Sequence, residues 1–310
     1  MKHFPYGILI TILFIFMLFM PKAVFNGAAE GLLLWYQIVF PTLFPFMLVT
    51  GLLMASGGLH LISRIFSGLF CRIFRVSENG TFAVLAGFLC GYPMGAKVTA
   101  DLMSSGRISY EEGCYLLSFC NNTSPIFILN FIVWKTFGRE DLAIPTLSIL
   151  ILAPVLLSFL FRRLYLKGNY CFQSPDAEKK LTARLDFSTL DTCMMNSFES
   201  IIKVGGYIIL FSVLITLLDE LPGSHPLILA VSPLLEVTNG IMMLDSTLGD
   251  FFLCYPAVLA LTSFGGFCSV AQTQCMLQGT GLKILPYTAE KLAAAAAASL
   301  MAVIYLLITR

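Results

Sequence analysis

Apolar residues fill long stretches of this chain, and the polar ones collect at a few short interruptions. Runs at 5–20, 41–56, 109–134, 141–161, 201–218 and 286–308 approach the ~20 apolar residues a helix needs to cross a bilayer. Two further apolar stretches are interrupted and too short to cross. Residues 81–90 and 94–104 flank Gly91-Tyr92-Pro93, and residues 251–264 and 269–277 flank Gly265-Gly266. Each reads as a re-entrant helical hairpin, whose exposed backbone is tolerable only inside protein or a wet cavity. Residues 26–40 carry Glu30, Trp35 and Tyr36 on a mostly apolar helix, and residues 60–74 place Arg64 and Arg72 on one face. Both read as helices lying at the interface. Residues 162–187 form the one long polar loop. The expected fold is an all-α membrane protein, a single polytopic domain over residues 1–310, with about six transmembrane helices and two hairpins. The first run follows Lys2 and His3 and meets Pro21-Lys22 with no small-residue cleavage site, so it reads as an uncleaved span.

The interruptions look duplicated. Gly91-Tyr92-Pro93-Met94-Gly95-Ala96-Lys97 is followed by Gly106 and Tyr110; Gly266-Phe267-Cys268-Ser269-Val270-Ala271-Gln272 is followed by Gly281 and Tyr287. Gly281 lies as far from Gly106 as Gly266 does from Gly91. Upstream, Val76-Ser77-Glu78-Asn79-Gly80 resembles Val237-Thr238-Asn239-Gly240. Two repeats are therefore expected, over residues 26–137 and 188–308. With the N-terminus and the long loop inside, most of the 19 lysines and arginines fall inside, and Lys22, Lys135, Arg139, Lys283 and Lys291 fall outside. The second hairpin then enters from the opposite side. That is an inverted repeat, as in many secondary transporters.

Composition narrows the function classes. Hydrophobic residues make up 57% and charged residues 12%, about half the usual ~25% charged. A net charge of +1 without basic clusters gives no footprint for nucleic acid. The nine cysteines contain no C-x-x-C pair and read as small buried hydrophobes, and the three histidines are scattered. Neither a metal site nor a cofactor is expected. No phosphate-binding loop, nucleophile elbow or zinc-hydrolase motif occurs, so an enzyme is not expected.

The candidate chemistry sits at the breaks, where freed amides and carbonyls need partners. Gly91, Tyr92 and Pro93 precede a half-helix whose N-terminal amides suit an anion. Lys97 adds a full charge on that arm, with pairing to Asp101 or reaching the surface as its alternatives. Gly95 allows a ligand or a neighbouring helix to approach. Asn121, Asn122, Thr123 and Ser124, before Pro125, form the most polar intramembrane cluster, suited to lining a solute site or to satisfying one another. Asn239, Gly266, Ser269 and Gln272 are their counterparts in the second repeat. Glu111, Glu112 and Glu290 near the hairpin mouths are candidate proton carriers, or solvated end charges.

The motifs GYPMGAK with FCNNTSPIFI, and LLEVTNG with SFGGFCSVAQ, resemble the YlbJ/SpoVV sporulation integral membrane proteins of the wider Gate, or nucleoside-recognition, superfamily. The resemblance implies a bacterial cytoplasmic-membrane protein of endospore formers, placed in the outer forespore membrane and moving dipicolinic acid, a small dicarboxylate. Transport of a small organic anion held at the midplane between broken helices is the leading expectation, with oligomers allowed. The alternative is a non-transporting membrane scaffold or assembly factor with the same fold.

Overall fold

The computed structural model describes residues 4–166, 186–220 and 226–309. Most of the polar loop expected over 162–187 lies outside them. The described residues form helices joined by short turns: α1 (Phe4–Phe19), α2 (Pro21–Leu34), α3 (Phe40–Ser56), α4 (Leu59–Phe74), α5 (Glu78–Cys90), α6 (Met94–Ser104), α7 (Tyr110–Cys120) and α8 (Pro125–Phe127). Then follow α9 (Ala143–Tyr165), α10 (Phe187–Asp219), α11 (Pro226–Leu235), α12 (Val237–Thr247), α13 (Phe251–Phe264), α14 (Gly266–Met276) and α15 (Ile284–Ile308). Wider π-helical turns, Trp35–Val39 and Ile128–Phe137, join α2 to α3 and extend α8.

Among the described residues six stretches are long and apolar enough to cross a membrane: Pro21–Ser56, Tyr110–Phe137, Glu140–Tyr165, Phe187–Asp219, Phe251–Met276 and Ile284–Ile308. The expected number holds, but the membership changes. With 16 residues, α1 is shorter than the ~20 a span needs. The stretch read as interfacial, 26–40, instead belongs to one long helix with α3. Small residues explain this. A Cβ on Gly27 would meet Val213 Cα at 2.9 Å, and one on Gly31 would meet Ile209 Cα at 2.8 Å, so α2 packs directly on the backbone of α10. Further along, Trp35 Nε1 donates to Ile201 O at 3.0 Å and the Phe44 ring packs at a tilt against Phe198. Numbers rise on one helix as they fall on the other, so the two are antiparallel.

Two clusters mark opposite ends of the molecule. At one, Arg107 donates to Met54 O, Asn79 donates to Arg107 O, and Arg162 donates to Ile73 O. This gathers the last turns of α3, α4, α6 and α9 with the first of α5 and α7. At the other, the Arg139 guanidinium lies 4.7 Å over the Phe251 ring, Phe137 meets the same ring edge-on, and Tyr255 bonds Thr146 and packs on Tyr305. This gathers the starts of α9 and α13 with the end of α15.

These ends give each helix a direction. Helices α5 and α6 pack on one another and both reach the Arg107 end, so Gly91-Tyr92-Pro93 is a tip inside the molecule. Likewise α11 and α12 pack on one another, but α12 leaves toward the Arg139 end, where Cys254 Sγ lies 3.9 Å from Leu244 O. Helix α13 starts at the Arg139 end, breaks at Gly265, and α14 continues to the Arg107 end, where Tyr110 OH donates to Gly281 O at 3.5 Å. Helices α13 and α14 thus differ from the expected hairpin with packed arms. They take different neighbours, α15 for α13 and α10 for α14. Consecutive glycines, Gly265 at φ 86° and Gly266 at φ 76°, make that break, a conformation costly for any residue with a Cβ. The motif pairing also changes: α6 and α14 both run from the middle to the Arg107 end, so their matched sequences are parallel to one another.

Candidate functional site

Four interruptions meet in the middle of the molecule: Gly91–Pro93, Asn121–Ser124, Glu236 between α11 and α12, and Gly265. Thr123 Oγ1 donates to Thr262 O at 2.9 Å. A Cβ on Gly91 would lie 2.9 Å from Ser124 N, one on Gly265 3.3 Å from the Tyr92 ring, and one on Gly266 3.4 Å from Glu236 Cα. Each break leaves backbone groups without helical partners, and two of the bonds that meet this need run between breaks, Thr123 Oγ1 to Thr262 O and Ala96 N to Asn121 Oδ1.

Asn121 is the hub. Its Oδ1 accepts from Ala96 N at 3.3 Å, and its Nδ2 donates to Thr273 Oγ1 at 3.0 Å and Tyr287 OH at 2.8 Å. Its carbonyl accepts from Lys291 Nζ at 3.0 Å. One residue therefore ties α6, α7, α14 and α15 together. Asn122 Nδ2 donates to Phe119 O, while its Oδ1 lies 3.4 Å from the same Lys291 Nζ. Lys291 itself is only 2% exposed. Ser124 Oγ caps α8 by accepting from Phe127 N at 3.3 Å.

A cavity of about 360 Å³ opens beside this junction. Its inner wall is Gly91, Tyr92, Thr123, Ser124, Glu236 and Gln272, and its outer wall is the apolar side of α2, α3 and the turn between them, with Lys135 among the lining residues. Glu236 is 4% exposed, and its carboxylate accepts from the first amides of α12, Thr238 N at 3.0 Å and Asn239 N at 2.9 Å. That carboxylate sits at a helix N-terminus, where negative charge is stabilised.

The site residues singled out from the sequence fall into two groups, with Asn239 and Lys97 placed separately. Gly91, Tyr92, Thr123, Ser124 and Gln272 line the cavity. Asn121, Asn122, Ser269 and Gly266 are buried in the junction behind it, Ser269 Oγ donating to Gly266 O, with Pro93 and Gly95 also buried on α6's side of the tip. Asn239 contributes its backbone amide to Glu236. Lys97 stands apart: its Nζ pairs with Asp101 at 3.2 Å, the i, i+4 alternative, and the Ala96 amide beside it is already taken by Asn121. Glu112 accepts from Ser77 N at 2.6 Å, and Glu290 accepts from the Tyr165 hydroxyl.

Two ionisable residues of the junction lie outside the candidate site residues. One is Glu236, which falls in the LLEVTNG motif, of which only Asn239 is a candidate. Lys291, assigned outside from loop charge, is the other. Its signal was present: Glu290-Lys291 interrupts an otherwise apolar span running into six alanines, and an ionisable residue inside a span is by default a functional candidate. Among the described residues no group of three or more His, Cys, Asp or Glu side chains could hold a metal ion.

Helices of spanning length meeting at buried breaks define a multi-pass, all-helical membrane protein. The chain is 28% identical over 308 residues to the sporulation integral membrane protein YlbJ of Bacillus subtilis (strain 168), a match covering 88% of this chain and 75% of that protein. That similarity, over most of both chains, supports a YlbJ-type family. No family model matches the chain, and no solved structure does.

Proposed function

We propose that the chain transports a small organic anion across a bacterial cytoplasmic membrane, holding it in the cavity where the broken helices meet. The observation that carries this reading is the convergence of three helix interruptions, at Gly91–Tyr92, Thr123–Ser124 and Glu236, with Gln272 of α14, on one cavity of about 360 Å³, within the ~300–1,000 Å³ of small-molecule sites. Irregular backbone at membrane depth is tolerated where it is buried or lines such a space.

Helix directions add support, with a different pairing from the one expected. The α5–α6 pair enters from the Arg107 end and the α11–α12 pair from the Arg139 end. The α7–α8 segment, broken at Asn121–Ser124, runs opposite to α13–α14, broken at Gly265. Helix α9 runs opposite to α15, and α3 opposite to α10. These are the relations of an inverted repeat, the architecture that alternates access around a fixed central site. On this reading the re-entrant hairpins are α5–α6 and α11–α12, and α13–α14 is a broken span. Dipicolinate in the outer forespore membrane is the solute and place that the resemblance to YlbJ/SpoVV proteins implies.

The test is uptake into proteoliposomes of labelled dipicolinate and, separately, nucleosides, with and without a pH gradient. Accumulation of the dicarboxylate above protein-free vesicles, lowered by Gln272→Ala in the cavity wall, is the expected result. Uptake of neither solute would leave the scaffold reading in place.

A further inference from the structure

A cation where the anion sits would give an anion transporter charge selectivity, and Lys97, the candidate from the sequence, is already paired. Lys135 lines the cavity but is an exposed residue lying 5.1 Å over the Phe131 ring. Lys291 is differently placed. It is 2% exposed, on a spanning helix, and donates only to neutral oxygens, Asn121 O and Asn122 Oδ1. Among the described residues no carboxylate oxygen lies within 4.0 Å of its Nζ. Its neighbour in sequence, Glu290, leaves the helix in another direction and is engaged by Tyr165. The other titratable side chains near the two are Cys120, Cys114, Tyr110 and Glu111 from α7, and Tyr287 from α15 itself. None of these offers Lys291 a bonded counter-charge.

A buried ammonium without a counter-ion is costly, of order several kcal/mol even after relaxation. The carbonyl end of α7 offsets part of that cost, because a helix C-terminus carries partial negative charge. The position decides what supplies the rest. Lys291 holds Asn121 and Asn122, while the next two residues of the same break, Thr123 and Ser124, line the cavity. Across the junction, Gln272 lines the cavity while Thr273 bonds Asn121. The cavity and the lysine are separated by the thickness of one non-helical strand of chain.

We propose that Lys291 is the cation that binds the carboxylate of the transported solute, reached when the Asn121–Ser124 segment shifts and its two oxygens are exchanged for those of the solute. The proposal rests on the transport reading above and names the residue that gives that site its charge selectivity. In the structure Asn121 O and Asn122 Oδ1 occupy the place a carboxylate would take. Two neutral oxygens hold the lysine well enough to bury it and weakly enough to be displaced.

The test measures equilibrium binding of two probes of nearly the same shape to the purified full chain: pyridine-2,6-dicarboxylate and its uncharged dicarboxamide. Two variants are used. Lys291→Gln removes the charge and keeps a donor for Asn121 O. Asn122→Asp keeps the size and gives the lysine a permanent internal counter-ion, at the loss of the bond from Nδ2 to Phe119 O. Each variant is expected to weaken dicarboxylate binding by about ten- to a hundredfold, the scale of a charge-assisted hydrogen bond, and to change dicarboxamide binding less than about threefold. Lys291→Arg should recover part of the loss, and Lys203→Gln, which removes an exposed cation paired with Glu199, should change nothing. If the two probes weaken equally, Lys291 holds the fold only and the proposal fails. Should Lys291→Gln not fold, unchanged dicarboxylate binding in Asn122→Asp overturns it alone. If the wild-type chain binds neither probe, the transport reading falls first and this one with it; wild-type binding that survives both variants removes only Lys291.

Discussion

Asn121 joins α6, α7, α14 and α15 through one side chain and one carbonyl, so each of these bonds crosses between helices. An asparagine at membrane depth beside Asn122 and a Ser-Pro step announces that the backbone is interrupted and that polar partners are near. The partners themselves were not legible: Thr273, Tyr287 and Lys291 lie more than 150 positions away in the chain, and only packing of α14 and α15 brings them in. The same limit applies to charge. Lys97 and Asp101 share a helix face four residues apart, so their pairing follows from helical periodicity. Which neighbour Lys291 meets depends on the direction of α15, which loop charge assigned the other way. Removing the hub should be costly. Asn121→Ala leaves the Ala96 amide and the hydroxyls of Thr273 and Tyr287 short of a partner. Each buried group left unpaired costs about 1–3 kcal/mol. Thermal unfolding in detergent should show a clear loss of stability, whereas Thr42→Val, on the exposed face of α3, should barely move the transition.

Elements meet at the junction because small residues let them. Gly87 of α5 faces the end of α7, and a Cβ there would fall on the Cys120 carbonyl oxygen. Gly95 of α6 faces the same turn, where a Cβ would lie 2.9 Å from Asn121 Cα. Backbones this close leave no space for a methyl group, and overpacking of a fitted contact costs typically ~1–3 kcal/mol. Gly87→Ala is therefore expected to destabilise the protein and to loosen the α5–α7 contact. Gly68→Ala on α4, where a Cβ would have nothing within 4 Å, should be neutral or stabilising by up to ~1 kcal/mol, the difference in helix propensity. Equal shifts in the two variants would mean that the close approach carries no energetic weight. At this scale the sequence was informative about where helices stop, since Gly, Pro and Asn mark the ends, and weaker on what the ends do. The break at Gly265 was visible. That α13 and α14 part there, while the packed pair lies upstream at α11–α12, depends on Glu236 capping α12 and on the contact of Gly240 with the Pro233 carbonyl. A lone glutamate gives no periodic signal for either.

At the scale of the whole molecule, α15 settles which way the second half faces. Loop charge alone places Lys283 on the side of Arg139, because a second hairpin would return to its own side. The structure joins Gly281 to Tyr110 and Glu290 to Tyr165, both at the Arg107 end, and Tyr305 to Tyr255 at the Arg139 end. Lys283 therefore belongs with Arg107 and Arg162, and the excess of positive charge at that end grows. The prediction is direct. Single cysteines at Ser105 and Gln278, both exposed, should react with an impermeant thiol reagent from the same face of sealed vesicles. Cysteines at Glu140 and Gly249, exposed near Arg139 and the start of α13, should react only from the other. The pairing of Ser105 with Gln278 is the discriminating one, because a hairpin returning at Gly265 would put residue 278 with Glu140. If Gln278→Cys labels together with Glu140→Cys, then α14 does not cross and the relation between α7–α8 and α13–α14 fails. The proposed inverted repeat would then lose its second broken span, and Lys291 would no longer reach Asn121 from the Arg107 end.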